Sequence, residues 1–200
     1  MKKFLVISMV GLTAMGMGCG SRNAAKRVVI MASGKVILEG NTISLDPSFT
    51  HTEADQTFKD DKLQLTLKKT GDPDKTFTLD QDGVYVINLQ NDTLIGSTIN
   101  YGEQGRPGRI TAEMLDHIID STKALMNGSS TAKDAYFLPP LTLKKVSDKL
   151  NTKVIGAYKG IPYSNEADNT GKVPDVIKFF TNKDKREALE DLINQKEKIK

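Results

Sequence analysis

Lys62-Leu63-Gln64-Leu65-Thr66-Leu67-Lys68 alternates leucine with polar residues without a break. Side chains of an extended chain point to opposite faces in turn. The spacing therefore predicts a strand with three leucines on one buried face and the other face in water. Downstream, Gly71-Asp72-Pro73-Asp74 is a turn cluster that leads into a strand at 76–79, with Phe77 and Leu79 on one side. Asp82-Gly83 predicts a hairpin into a strand at 84–89, because glycine takes positive φ at no steric cost. Asn91-Asp92 turns again into 93–99. Upstream, an apolar run at 28–31 is followed by Ser33-Gly34, a strand at 35–39, Gly40-Asn41 and a strand at 42–45, and a polar loop fills the gap to Lys62. About seven short strands at regular spacing predict an antiparallel β-sandwich-like module over 28–101, immunoglobulin-like in size.

Beyond residue 101 the period changes. Residues 102–108 read as a linker rich in glycine and charge. Thr111 as N-cap and Glu113 in the first turn predict a helix over 111–126. Its apolar stripe is Leu115, Ile118, Ile119, Thr122, Leu125 and Met126, and Asn127-Gly128 ends it. After Pro139-Pro140, Thr142 predicts the cap of a second helix near 142–150, with Leu143, Val146 and Leu150 on one face. Strands at 153–158 and 176–180 flank a polar loop. Asn182 predicts the cap of a last helix over 183–197, with Ala188, Leu189, Leu192 and Ile193 inward. Residues 102–200 thus read as a mixed helical and β region, and the whole chain as α+β. The sequence carries no internal repeat.

The N-terminus has a different logic. Lys2 and Lys3 precede an apolar run at 4–17, the n-region and h-region of a secretory signal. A run of roughly 14 residues falls short of the about 20 that a spanning helix needs. Gly16-Met17-Gly18-Cys19 follows, and Cys19 is the chain's single cysteine. This stretch resembles the lipobox of bacterial membrane lipoproteins, differing at Gly16, where that class usually carries leucine. The resemblance covers the first nineteen residues. It implies a signal peptide over 1–18, cleavage before Cys19, a diacylglyceryl thioether on that residue and a tether over 19–27. One acyl chain holds a protein to a bilayer only marginally, whereas two or three hold it stably. The sorting rule of the class, read on Gly20, implies the outer membrane in a Gram-negative host. Ser21-Arg22-Asn23-Ala24-Ala25-Lys26-Arg27 lacks an acidic run, which favours the periplasmic face over the cell surface.

Charge narrows the partners. The formal net charge is +3 with 28 basic and 25 acidic side chains, and two of the lysines lie in the signal. The mature chain is close to neutral, so nothing points to nucleic acid. The partners expected are the membrane, through lipid on Cys19, and a protein of the envelope. Tryptophan is absent and aromatic residues make up 6% of the chain, which disfavours a sugar-stacking face.

Candidates for chemistry are sparse. His51, Glu53 and Asp55 alternate, so an extended chain would point all three one way toward a metal; zinc prefers more His or Cys than this segment offers, and a solvated loop is the simpler reading. His117 has Glu113 four residues before it and Asp120 three after, a pattern that could supply a general base. It lacks the paired histidines of H-E-x-x-H, and an exposed salt-bridged helix face accounts for it. Arg106 and Arg109 precede a helix N-terminus and would suit an anion; the alternative is loop charge screened by water. Asp80-Gln81-Asp82-Gly83 has the wrong spacing for a calcium loop. No cofactor fingerprint is present. The expectation is a lipid-anchored envelope protein that binds or positions a partner without catalysis. The alternative is an envelope hydrolase centred on His117.

Overall fold

The computed structural model describes residues 25–69, 71, 73–99, 101, 111–167 and 171–199. Among them are twelve strands and two helices, so the class is α+β. The strands are β1 (Lys26–Ala32), β2 (Lys35–Glu39), β3 (Thr42–Asp46), β4 (Thr52–Phe58), β5 (Leu63–Leu67), β6 (Lys75–Leu79), β7 (Gly83–Leu89), β8 (Leu94–Ile99), β9 (Ala135–Leu138), β10 (Thr142–Ser147), β11 (Lys153–Ile155) and β12 (Val176–Thr181). The helices are α1 (Ala112–Met126) and α2 (Asn182–Ile199).

Three four-stranded sheets result. The first has the order β10-β7-β1-β4, the second β2-β3-β5-β6 and the third β11-β12-β8-β9. β5 behaves as its alternation predicts: Leu63, Leu65 and Leu67 are buried and Gln64 is exposed. They join Ile43, Phe77 and Leu79 of the second sheet in one core with Val28, Ile30, Ala32, Tyr85, Ile87 and Leu89 of the first. The residues between these on the first sheet, Val29, Met31, Val84 and Val86, join a second core with Leu94, Leu138, Ile177 and Phe179 of the third. The first sheet is therefore the middle layer. β1 and β7 bury both faces, which is why they read as unbroken apolar runs.

The route of the chain differs from a string of hairpins. Gly40-Asn41 does close a hairpin, with Glu39 opposite Thr42. Asp82-Gly83 does not: β6 lies in the second sheet and β7 in the first. Gly83 is needed for another reason. It has φ +134, and a Cβ there would collide with the Ser147 carbonyl oxygen of β10. Asn91-Asp92 likewise carries the chain from the first sheet to the third. Because strands return to the middle sheet after excursions, β1 and β7 pair in parallel, as do β3 with β5 and β11 with β12. The purely antiparallel expectation is corrected here: a crossover through another layer delivers a strand in the same direction.

Two local readings also change, and a further strand forms at 135–138, where no element was expected. The segment read as a polar loop forms β4, an edge strand paired along its length with β1. Its composition hides it, since only Ala54 and Phe58 pack toward the core. Ala135–Leu138 forms β9 against β8. The helix expected near 142–150 is β10, paired antiparallel with β7. Leu143 packs into the first core and Val146 into the second, since an interval of three residues in a strand puts them on opposite faces; the register shifts between Lys145 and Ser147. Thr142 does not cap a helix; its hydroxyl donates to the Pro139 carbonyl at 2.6 Å.

Residue 101 is not a boundary for strand pairing. β7 and β8, from before it, pair with β10, β9 and β12, from beyond it. By pairing, the chain divides between β6 and β7. Each part supplies two strands to the middle sheet and all four strands of one outer sheet. The helices pack on each other and on the third sheet. Among the described residues no helix is long and apolar enough to cross a membrane.

Candidate functional site

Glu53, on the edge strand β4, meets the segment after β11. Its Oε2 lies 2.8 Å from Lys159 Nζ, and its carboxylate occupies the space where Gly156 would carry a Cβ. Close approach of the carboxylate thus requires glycine at 156. Just before β4, the His51 ring stacks on Tyr158, with centroids 3.8 Å apart and planes 19° apart. Beneath this contact lies Lys178 of β12, only 3% exposed. Its Nζ donates to the carbonyls of Gly156 (2.5 Å), Ala157 (3.1 Å) and Lys159 (2.6 Å). Burial pulls the Lys178 ammonium below the ordinary lysine value, against Glu53 and Asp184, which favour its charge. Partial burial, then Asp184 and Asp92, hold the Tyr158 phenol above its usual value.

This cluster ties three elements together at one end of the molecule: β4, the 156–159 turn and β12. Its chemistry is that of a fastening. The Lys178 protons are directed at carbonyls, and the Tyr158 phenol keeps its proton. What it offers outward is a stacked pair of exposed rings with carboxylates nearby.

The third residue of the metal candidate goes elsewhere. Asp55 accepts from Arg27 Nε at 2.9 Å and from Nη2 at 2.5 Å, a bidentate pair. The same guanidinium donates to the carbonyls of Leu150 and Thr152. Glu53 is thus paired with Lys159 and Asp55 with Arg27, while His51 stacks on Tyr158. Among the described residues no group of three or more His, Cys, Asp or Glu is placed to hold one.

The His117 candidate also disperses. Thr111 caps α1, accepting from the Met114 amide, and the Glu113 amide, followed by the Thr111 side chain, holds the Glu113 carboxyl below the usual carboxylate range. Glu113 is thus engaged at the helix start rather than with His117. Among the described residues no hydrogen bond or ion pair joins His117 to Glu113 or to Asp120. The carboxylate used for packing is Asp116, which pairs with Lys196 of α2. His117 is exposed at the rim of a shallow depression of about 280 Å³ lined by Ile118, Ser121, Thr122 and Leu125. Cys19, Arg106 and Arg109 lie outside the described residues.

Lys178, Tyr158, Lys159 and Arg27 were not singled out in the sequence. One signal was present: Val176-Ile177-Lys178-Phe179-Phe180 sets a lysine inside an apolar run. A charge at such a position requires partners, since burying it alone costs several kcal/mol.

Compared with protein-family models, with curated proteins and with solved structures, the chain gives no match.

Proposed function

We propose that this chain is a lipid-anchored protein of the bacterial cell envelope whose folded part is a non-enzymatic binding or structural module. One observation carries the reading: Lys2-Lys3, the apolar run at 4–17 and Gly16-Met17-Gly18-Cys19 stand in the order of a lipoprotein signal, with Cys19 the single cysteine. The first and second sheets, packed over one shared core, are on this reading the sandwich-like part of the module. In support of binding over hydrolysis, Glu113 is engaged at the start of α1 and Asp116 with Lys196, so neither serves His117. By the sorting rule of the class, Gly20 directs the protein to the outer membrane of a Gram-negative host, on the periplasmic side.

Intact mass and membrane fractionation of the wild type beside Cys19→Ser test the proposal. The expected result is a lipid-sized mass increment and membrane retention, both lost in the variant. A soluble wild type without added mass overturns it in favour of a freely secreted protein.

A further inference from the structure

We propose that the end of the molecule from which the tether leaves rests on the bilayer, with Leu150, Ile161, Tyr163 and Val173 seated at the lipid headgroup boundary. The inference rests on the lipid-anchor reading of Cys19. Cys19 and Lys26 are seven positions apart, and seven fully extended residues span at most about 25 Å. β1 begins at Lys26, so lipid on Cys19 keeps that end of the middle sheet within about 25 Å of the bilayer surface.

Hydrogen bonds trace what lies at that end. Arg27 Nη1 donates to the carbonyls of Leu150 at 3.2 Å and Thr152 at 2.7 Å. The next residue, Lys153, donates its amide to the Asp175 carbonyl at 2.8 Å and its Nζ to Asn165 Oδ1 at 3.0 Å. Asn165 Nδ2 donates in turn to the Pro174 carbonyl at 2.5 Å. Tyr101, just past the same end of β8, donates its hydroxyl to the Pro162 carbonyl at 3.0 Å. The later part of the loop between β11 and β12, at Pro162, Asn165 and Pro174, is therefore held toward the end where the tether arrives.

Among the polar side chains of this surface stand four apolar or aromatic ones open to solvent. Tyr163 is fully exposed, Val173 is 63% exposed, Ile161 42% and Leu150 39%. Val173 lines a depression with Tyr101 and Asn165, and Tyr101 bonds Pro162, between Ile161 and Tyr163, so these exposed groups lie toward the same end. Tyrosine, with an apolar ring and a polar tip, prefers the membrane–water interface. Lys149 and Asp175 pair at 2.9 Å, and Lys153 is held by Asn165, so apolar contact rather than charge makes the attachment. The turns beside the start of β1 carry the exposed Asp60, Asp61, Asp80 and Asp82, with Lys26 Nζ donating to the Asp60 carbonyl at 2.8 Å, and on this proposal they stay in water. The molecule thus leans onto its third-sheet side. Thr52 pairs with Ala32 at the opposite end of β1, so Phe49 and His51 face away from the membrane.

The absence of tryptophan makes the test direct. Lipidated full-length Tyr163→Trp and Phe49→Trp proteins are placed in phosphatidylethanolamine–phosphatidylglycerol vesicles, with and without brominated phospholipid. The expected result is blue-shifted emission and several-fold greater bromine quenching for Tyr163→Trp, unchanged by added salt. Equal quenching of the two proteins while both float with the vesicles overturns the surface assignment and leaves the anchor standing. A blue shift without quenching also overturns it, placing a protein rather than lipid on that end. Failure to float overturns the anchor and this inference with it.

Discussion

The ammonium of Lys178 reaches three carbonyls from a strand whose other members are Val176, Ile177, Phe179, Phe180 and Thr181. A buried charge persists only where its desolvation is offset, and charge-assisted bonds to carbonyls do that here. The side chain also crosses near the Phe180 ring, 5.1 Å from its centroid. Lys178→Met keeps the apolar stem and removes the donor, leaving the Gly156, Ala157 and Lys159 carbonyls without it. Loss of about 1–3 kcal/mol of stability is expected in urea unfolding. Amide exchange across 156–159 should accelerate with it. An unchanged midpoint would show that the turn is held by Glu53 and Lys159 alone. At this scale the sequence exposed the oddity, a lysine in an apolar run, but not its partners. They lie 19 to 22 residues away and converge only when β11 aligns beside β12.

Elements with a local cause were legible. α1 begins at the Thr111 cap and keeps its stripe, with Leu115 and Ile119 buried. Ile118, assigned to the same stripe, is 43% exposed. α2 begins one residue earlier than expected, through a reciprocal cap: the Thr181 amide donates to Asp184 and the Asp184 amide to the Thr181 hydroxyl. Glu113 adds a pH dependence to α1. Its folded value lies below its ordinary 4.5, so the native state favours the carboxylate. That contribution is full above pH 4.5 and is lost as pH falls through the lower folded value. Hydrogen exchange of the first-turn amides of α1 should therefore show weaker protection on acidification, and Glu113→Gln should flatten the change. β4 and β10 were misread for opposite reasons. β4 is polar because it is an edge strand. β10 carries Leu143 and Val146 at a helical interval because one packs into each core.

Across the whole molecule, the middle sheet binds the chain's two parts through the parallel pairing of β1 with β7, from Lys26 opposite Gly83 to Ala32 opposite Leu89. A fragment ending at residue 101 keeps β7 and β8 but strips them of β10, β9 and β12. It also opens the second core, losing Leu138, Ile177 and Phe179. Such a fragment is expected to lack a cooperative thermal transition, whereas residues 25–199 should melt as one unit. A sharp melt of the fragment would establish 28–101 as a self-sufficient module. By itself the sequence determined the α+β content, the β5 strand, the Gly40-Asn41 hairpin and both terminal features of α1. Each depends on neighbours within a few residues: side-chain alternation, a positive φ, a cap. Only the tertiary structure decided which sheet each strand joins, that β1 and β7 run parallel, and that Glu53 meets Lys159 while Asp55 meets Arg27. Local periodicity records which face of an element is apolar. It carries no information about which distant face will cover it, and that choice belongs to long-range packing.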